Sequence, residues 1–234
     1  MVNKFKTNTM FKSMKTGVLA AILISTAIYA HAQKKITEGT ISYAVEYAPT
    51  PEQEPAVKML PKELKVKFNG SITKIEMEQG PATIVILSDV ISYAGLVLID
   101  VPVAQMQFAV KRTKADYDKE KATAPKFSDF KATGEKKMIG SYNAEKYTYK
   151  DDKGGTYELW TTTDIELPTG FNGEDFKDIK GSLVKFTHFQ QGMKQTLTVK
   201  EIKEEKNGPY KLHVPSGYEV KTMEEIMAMQ GGGE

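Results

Sequence analysis

Beyond residue 32, apolar and polar residues alternate along most of the chain, the period-two mark of strands with one dry and one wet face. Over 39–47, Ile41, Tyr43, Val45 and Tyr47 share a face opposed by Thr40, Ser42, Ala44 and Glu46. Over 63–68, Leu64, Val66 and Phe68 oppose Glu63, Lys65 and Lys67, and Asn69-Gly70 follows. That dipeptide suits a two-residue type I′ turn, which predicts a hairpin pairing Phe68 with Ser71, Val66 with Thr73 and Leu64 with Ile75. The runs 82–87 and 94–99 are almost wholly apolar, as expected of strands covered on both faces. Alternation returns over 105–111, with Met106, Phe108 and Val110 inward. Further strands are predicted over 137–139, 144–149, 156–162, 183–189, 196–202 and 210–214. Polar turns such as Asp151-Asp152-Lys153-Gly154-Gly155 and Asn207-Gly208-Pro209 join them. Short turns between successive strands imply an antiparallel meander.

Helices are few. Thr113-Lys114-Ala115-Asp116 opens a polar helix reaching about residue 122, and Asn172 is placed to cap one over 173–180. Thr222-Met223-Glu224-Glu225 is a capping box, followed by an apolar stripe of Met223, Ile226 and Met227. Pro55 limits the segment after Thr50 to one turn. Residues 230–234 are expected to be a flexible tail. The predicted fold is mainly β (α+β): a single curled antiparallel sheet, a half-barrel of about 10–11 strands, with a few short helices covering its concave face.

The first 32 residues differ in kind. Lys4, Lys6, Lys12 and Lys15 precede an apolar run over 18–30 that exits through Ala30-His31-Ala32. A basic start, a short apolar core and small residues at the exit are the parts of a secretory signal peptide. The run is shorter than the ~20 residues of a membrane span. Residues 1–32 are therefore expected to be cleaved, leaving 33–234 as one exported domain, periplasmic or extracellular. Without cysteine there is neither a lipid-acceptor thiol nor a disulfide, so stability rests on a core. Removing four lysines leaves 28 basic against 30 acidic residues. That balance gives no electrostatic ground for nucleic-acid binding. No later stretch is long enough to span a membrane.

Catalytic and metal motifs are lacking. His188 and His213 sit in strand patterns without ligand spacing. Asp151, Asp152 and Asp164 lack the alternating oxygens of a calcium loop. Met227-Ala228-Met229 reads as a soft copper(I) pair or, at helix spacing, as packing. Nucleophile-elbow and nucleotide-loop motifs are absent. Tyr142, Tyr147, Tyr149, Tyr157 and Trp160 gather in one region, either as a binding platform or as good strand residues. No enzyme activity, cofactor or metal is expected.

Two stretches carry a family likeness. Residues 65–78 (KVKFNGSITKIEME) resemble a strand-turn-strand pattern with Lys74 and Glu78 at its charged positions. Residues 134–167 resemble a second pattern, matched at Gly140, Tyr142, Lys146, Tyr147, Trp160 and Thr162. Val214-Pro215-Ser216-Gly217-Tyr218 before a short Met-bearing helix is also similar. The chain resembles the exported bacterial family called domain of unknown function 4412, itself similar to the LolA, LolB and LppX lipoprotein-carrier superfold. At Ala144 that family often has cysteine, which excludes a thiol role here. The resemblance implies an unclosed antiparallel barrel with helices lidding an apolar concavity. It also implies a carrier or chaperone for a lipid or acyl ligand, or for a lipidated protein. The candidate lining is Leu64, Val66, Phe68, Ile75, Met77, Met106, Phe108, Tyr147, Tyr149, Trp160 and Phe186. The alternative is a cell-envelope interaction module whose hollow is filled by its own side chains. The oligomeric state is left open.

Overall fold

The computed structural model describes residues 33–231 except 59 and 191. The expected signal peptide and cleavage site lie outside the described residues. In chain order the elements are β1 (Lys34–Lys35), β2 (Glu38–Ala48), α1 (Glu54–Val57), β3 (Glu63–Asn69), β4 (Ile72–Gln79), β5 (Ala82–Asp89), β6 (Gly95–Val101), β7 (Met106–Arg112) and α2 (Lys114–Thr123). They continue with β8 (Phe127–Ile139), β9 (Tyr142–Asp151), β10 (Thr156–Thr162), β11 (Ile165–Glu166), β12 (Ser182–Gln190), β13 (Met193–Glu204), β14 (Glu219–Val220) and α3 (Met223–Gly231).

Twelve strands form one sheet in the order β14-β7-β6-β5-β4-β3-β2-β13-β12-β10-β9-β8. Every pairing is antiparallel except β14 with β7, which is parallel. Connectivity forces the sheet to curl. β7 and β8 lie ten strand spacings apart, about 48 Å in a flat sheet. The chain between them is the ten-residue α2 plus a few extended residues, a reach of about 35 Å. The two ends of the sheet must therefore bend toward each other, and the sheet remains an unclosed, curled ribbon.

Register identifies one continuous inner face. Leu64 pairs with Tyr43 and Val66 with Ile41, and Tyr43 in turn pairs with Val199. Beyond the β3–β4 turn the face passes through Ile75↔Ile86, Ile86↔Val97 and Val97↔Val110. A bulge in β13 leaves Val199 and Ile202, three residues apart, facing Tyr43 and Ile41 on the same side. On the β2 half the main core is filled by buried Ile41, Tyr43, Phe68, Trp160, Val184 and Val199.

Several expectations are corrected. The Asn69-Gly70 hairpin forms one residue later than expected, with Phe68 opposite Thr73 and Asn69 opposite Ile72. Asn69 stays in the strand because its Nδ2 donates to Glu38 Oε2 and to the Asn207 carbonyl, both at 2.7 Å. Gly70 alone supplies the positive φ, 57°, as a turn with glycine at its first central position requires. β8 spans thirteen residues rather than the three expected. It is an edge strand with mostly exposed polar residues, so it carries no alternation, and positive-φ Asp129 and Gly134 sit at its two register breaks. Residues 210–214 are not a strand. Tyr210, Leu212 and Val214 belong to an extended arm packed on Leu87, Leu96 and Ala109, covering the outer face of β5–β7. The predicted helix over 173–180 shrinks to one turn, Glu174–Phe176. Asn172 instead ties the loop ends, donating to the Gly181 carbonyl (2.8 Å) and accepting from the Leu183 N–H (3.2 Å). α3 reaches Gly231, so the expected tail begins within a helix.

Candidate functional site: an apolar face under a helix

β4–β7 present alternate residues to the inner face. Met77 pairs with Ile84, Ile84 with Ile99, and Ile99 with Phe108. Val97 and Val110 are buried beneath Ile226 of α3, while Ile84, Ile86, Ile99 and Phe108 are only half-buried around them. This is why the β5 and β6 runs are apolar throughout: α3 lies over one face and the 210–218 arm over the other.

α3 is placed by its own sequence. Glu225 Oε2 accepts from the Thr222 N–H at 2.7 Å, and the Glu225 N–H donates to Thr222 Oγ1 at 3.2 Å, completing the expected capping box. Just upstream, β14 docks on β7, and the Lys221 N–H donates to the Ala109 carbonyl. Beyond these fixings, Ile226 is, among the described side chains of α3, the one buried against the sheet. Met223, Met227 and Met229 are 38, 56 and 52 % exposed, which leaves flexible, polarisable side chains on the free surface of the helix.

The 167–181 loop straps the inner face. Phe171 meets Phe68 edge-on at 5.0 Å. Gly170, at φ 92°, passes so close to Val90 that a Cβ would come within 2.8 Å of its carbonyl oxygen. The Tyr93 hydroxyl donates to Glu174 Oε2 at 2.8 Å and its ring stacks on Tyr117 of α2 at 4.3 Å. Lys121 pairs with Asp175 at 2.9 Å. Burial, reinforced by Glu174, pushes the Tyr93 hydroxyl up to about 12. These contacts tie together the β5–β6 turn, α2 and the strap.

The candidate lining residues separate into groups. Leu64 and Val66 are half-buried on the main core beside Phe186, which also touches Tyr43. Ile75 and Met77 are half-buried on β4, and Phe108 is half-buried beneath α3. Met106 is 49 % exposed near the sheet edge. Phe68, Tyr149 and Trp160 are 0, 1 and 2 % exposed and are sealed into packing. Trp160 lies under Lys137 Nζ at 3.9 Å. Tyr147 and Tyr149 join an aromatic cluster with Phe127, Phe130 and Phe176, in which the buried Tyr149 hydroxyl lies against Thr187 without a well-formed hydrogen bond. Ile84, Ile86, Ile99 and Ile226 belong to the face but not to the expected lining. The signal for the β5 pair lay in register, since Ile86 and Ile84 oppose Ile75 and Met77.

Among the described residues there is no group of three His, Asp or Glu side chains able to hold a metal, and no helix long and apolar enough to cross a membrane. His188 and His213 are exposed. Asp151 and Asp164 sit at opposite ends of the β9–β10 ladder. Asp151 accepts from the Gly155 N–H (2.6 Å) and the Tyr157 hydroxyl (2.7 Å), and Asp164 from the Asn143 N–H (2.7 Å). What β4–β7 offer is alkyl contact. Comparison with known proteins adds no relative: no family model matches the chain, and no curated protein matches it.

Proposed function

We propose that the protein is an exported, non-enzymatic carrier or chaperone that holds a lipid or acyl chain against the inner face of β4–β7, beneath α3. The observation that carries this reading is the half-buried row Ile75, Met77, Ile84, Ile86, Ile99 and Phe108 on a single face. Val97 and Val110 on the same face are buried beneath Ile226, whereas this contiguous apolar row around them is left partly open. Removing about ten methylenes from water yields about 8 kcal/mol. Before association entropy is subtracted, that is the scale of a micromolar dissociation constant. The signal-like start and the likeness to domain of unknown function 4412 and the lipoprotein-carrier superfold point the same way.

Native mass spectrometry of residues 33–234, gently purified from an exporting host, tests the reading. Retained lipid, together with saturable uptake of a fluorescent fatty acid, supports it. A chain that carries no lipid and takes up no fatty acid overturns it. The second reading, a cell-envelope interaction module with a self-filled core, draws on the sealing of Phe68, Tyr149 and Trp160. It requires crosslinking in cells to capture a protein partner while lipid uptake is absent.

A further inference from the structure

The β3–β4 hairpin is laddered only beside its turn, through Lys67↔Lys74, Phe68↔Thr73 and Asn69↔Ile72. Both strands nevertheless continue. β2 pairs with β3 back to Glu63, and β5 pairs with β4 out to Gln79. Residues 63–66 and 75–79 therefore face each other across a fork with no ladder between them. Backbone groups alternate sides along an antiparallel strand. Asn69 and Ile72 flank a two-residue turn and form a hydrogen-bonded pair. Counting back by twos, the N–H and C=O groups of Glu63 and Lys65 on β3, and of Glu76 and Glu78 on β4, point into the fork.

The outer edges of the sheet are guarded against added strands. β8 is broken by two register shifts and carries exposed lysines, and β14 has only two residues. No such device interrupts the fork. Neither strand has a proline, a glycine or a bulge there. Its inner side is Leu64, Val66, Ile75 and Met77. On its outer side Glu63 is paired with Lys200 and Glu76 with Lys74; among the described residues Glu78 meets the Thr83 hydroxyl alone, and the exposed Lys65, between Glu63 and Lys67 on β3, makes no ion pair. That leaves the Glu78 carboxylate open to a cation, and the Lys65 ammonium, two residues along from Glu63, open to an anion, on an incoming segment.

We propose that the β3–β4 fork accepts an extended peptide segment of a partner protein, with apolar residues alternating with charged ones of opposite sign (basic, then acidic), as an added strand. The main-chain groups of Glu63, Lys65, Glu76 and Glu78 supply the hydrogen bonds. The apolar side chains enter beside Leu64 and Met77, a basic one meets Glu78, and an acidic one two positions away meets Lys65. Strand addition draws affinity from the main chain and specificity from alternate side chains. This goes beyond the ligand reading, and either can fail alone.

The probe is a fluorescein-labelled decapeptide alternating valine with lysine and glutamate in turn, followed by anisotropy at 0.15 M salt. Its control is the same peptide N-methylated at alternate nitrogens, which keeps charge and composition and removes the strand donors. In a K65C/E76C variant, oxidation joins positions opposed in the continued register and closes the fork. The expected results are saturable binding by the reduced variant, at least tenfold loss on oxidation with recovery on reduction, and at least tenfold weaker binding of the N-methylated peptide. Equal binding by the oxidised form, equal binding of the N-methylated peptide, or no binding to the open fork overturns the proposal. Amide exchange of wild-type protein gives an independent check. The amides of Lys65 and Glu76 should exchange quickly in the free protein and slow when peptide is added. Protection in the free protein equal to that of β5–β6 overturns the proposal without bearing on fatty-acid uptake.

Discussion

Replacing Ile226 with alanine should free α3 from the sheet without unfolding the sheet. Ile226 is 7 % exposed and sits on Val97 and Val110, while Met223, Met227 and Met229 remain largely outside the contact. A buried isoleucine truncated to alanine costs about 2–5 kcal/mol, the upper end arising where neighbours cannot collapse into the gap. A nine-residue terminal helix can shift, so about 2–3 kcal/mol is expected here. Because the loss falls on local opening of α3, it converts to a rise of about 30- to 150-fold in amide exchange over 224–230. Exchange in β2, β12 and β13 should change little, and the global melting temperature should fall by only a few degrees. Uncovering Val97 and Val110 should also increase binding of an environment-sensitive apolar dye. Unchanged α3 exchange, or loss of protection spread evenly over the sheet, would refute the assignment of Ile226 as the contact that fastens α3 to the sheet.

Three further outcomes follow from the packing. Trp160→Ala removes a side chain 2 % exposed in the main core and should cost about 3–5 kcal/mol in denaturant unfolding; a change under 1 kcal/mol contradicts the placement. Tyr149→Phe deletes a buried hydroxyl that lies against Thr187 without a well-formed hydrogen bond, so it should leave the melting temperature unchanged or raise it, and a clear fall would show that the Thr187 contact is a stabilising bond. The Asp151 carboxyl is held below its usual range, chiefly by the Tyr157 hydroxyl and then by the Gly155 and Lys153 N–H groups. A lowered folded-state value means that its stabilisation is present above the unfolded carboxyl's range, above about pH 5, and is lost as pH falls through the folded value. The melting-temperature gap between wild type and Asp151→Asn should therefore narrow on acidification, and a gap constant with pH contradicts the role of the ionised form.

The sheet was largely legible because its central strands obey simple periodicity. β2 and β3 alternate cleanly, and the unbroken runs of β5 and β6 announced two covered faces. What covers those faces was less legible. Ile226 stood in a recognisable capped helix, but the alternation of Tyr210, Leu212 and Val214 reads the same whether a segment joins a ladder or lies across one as an arm. Only the last three residues of β8 were legible, because an edge strand with two wet faces has no apolar period. The turn after Phe68 moved by one residue because Asn69 has long-range partners at Glu38 and Asn207, which local turn preference does not contain. The lining was only partly legible for a related reason. Alternation sorts residues into two sets, but it does not say which members of the inward set are sealed by neighbours. Trp160 and Tyr149 are sealed, whereas Ile75 and Met77 remain reachable. In a run such as 82–87, where both sets are apolar, it does not choose Ile84 and Ile86 over Val85 and Leu87; register with β4 does.

The most direct test is an isoleucine-methyl NMR titration of residues 33–234 with a soluble long-chain fatty acid. Binding beneath α3 requires saturable shifts at Ile75, Ile84, Ile86, Ile99 and Ile226, with the methyls of Ile139 and Ile165 in the sealed core unmoved. Shifts centred on Ile139 and Ile165, or no saturable shift at any isoleucine, would contradict a ligand face on β4–β7.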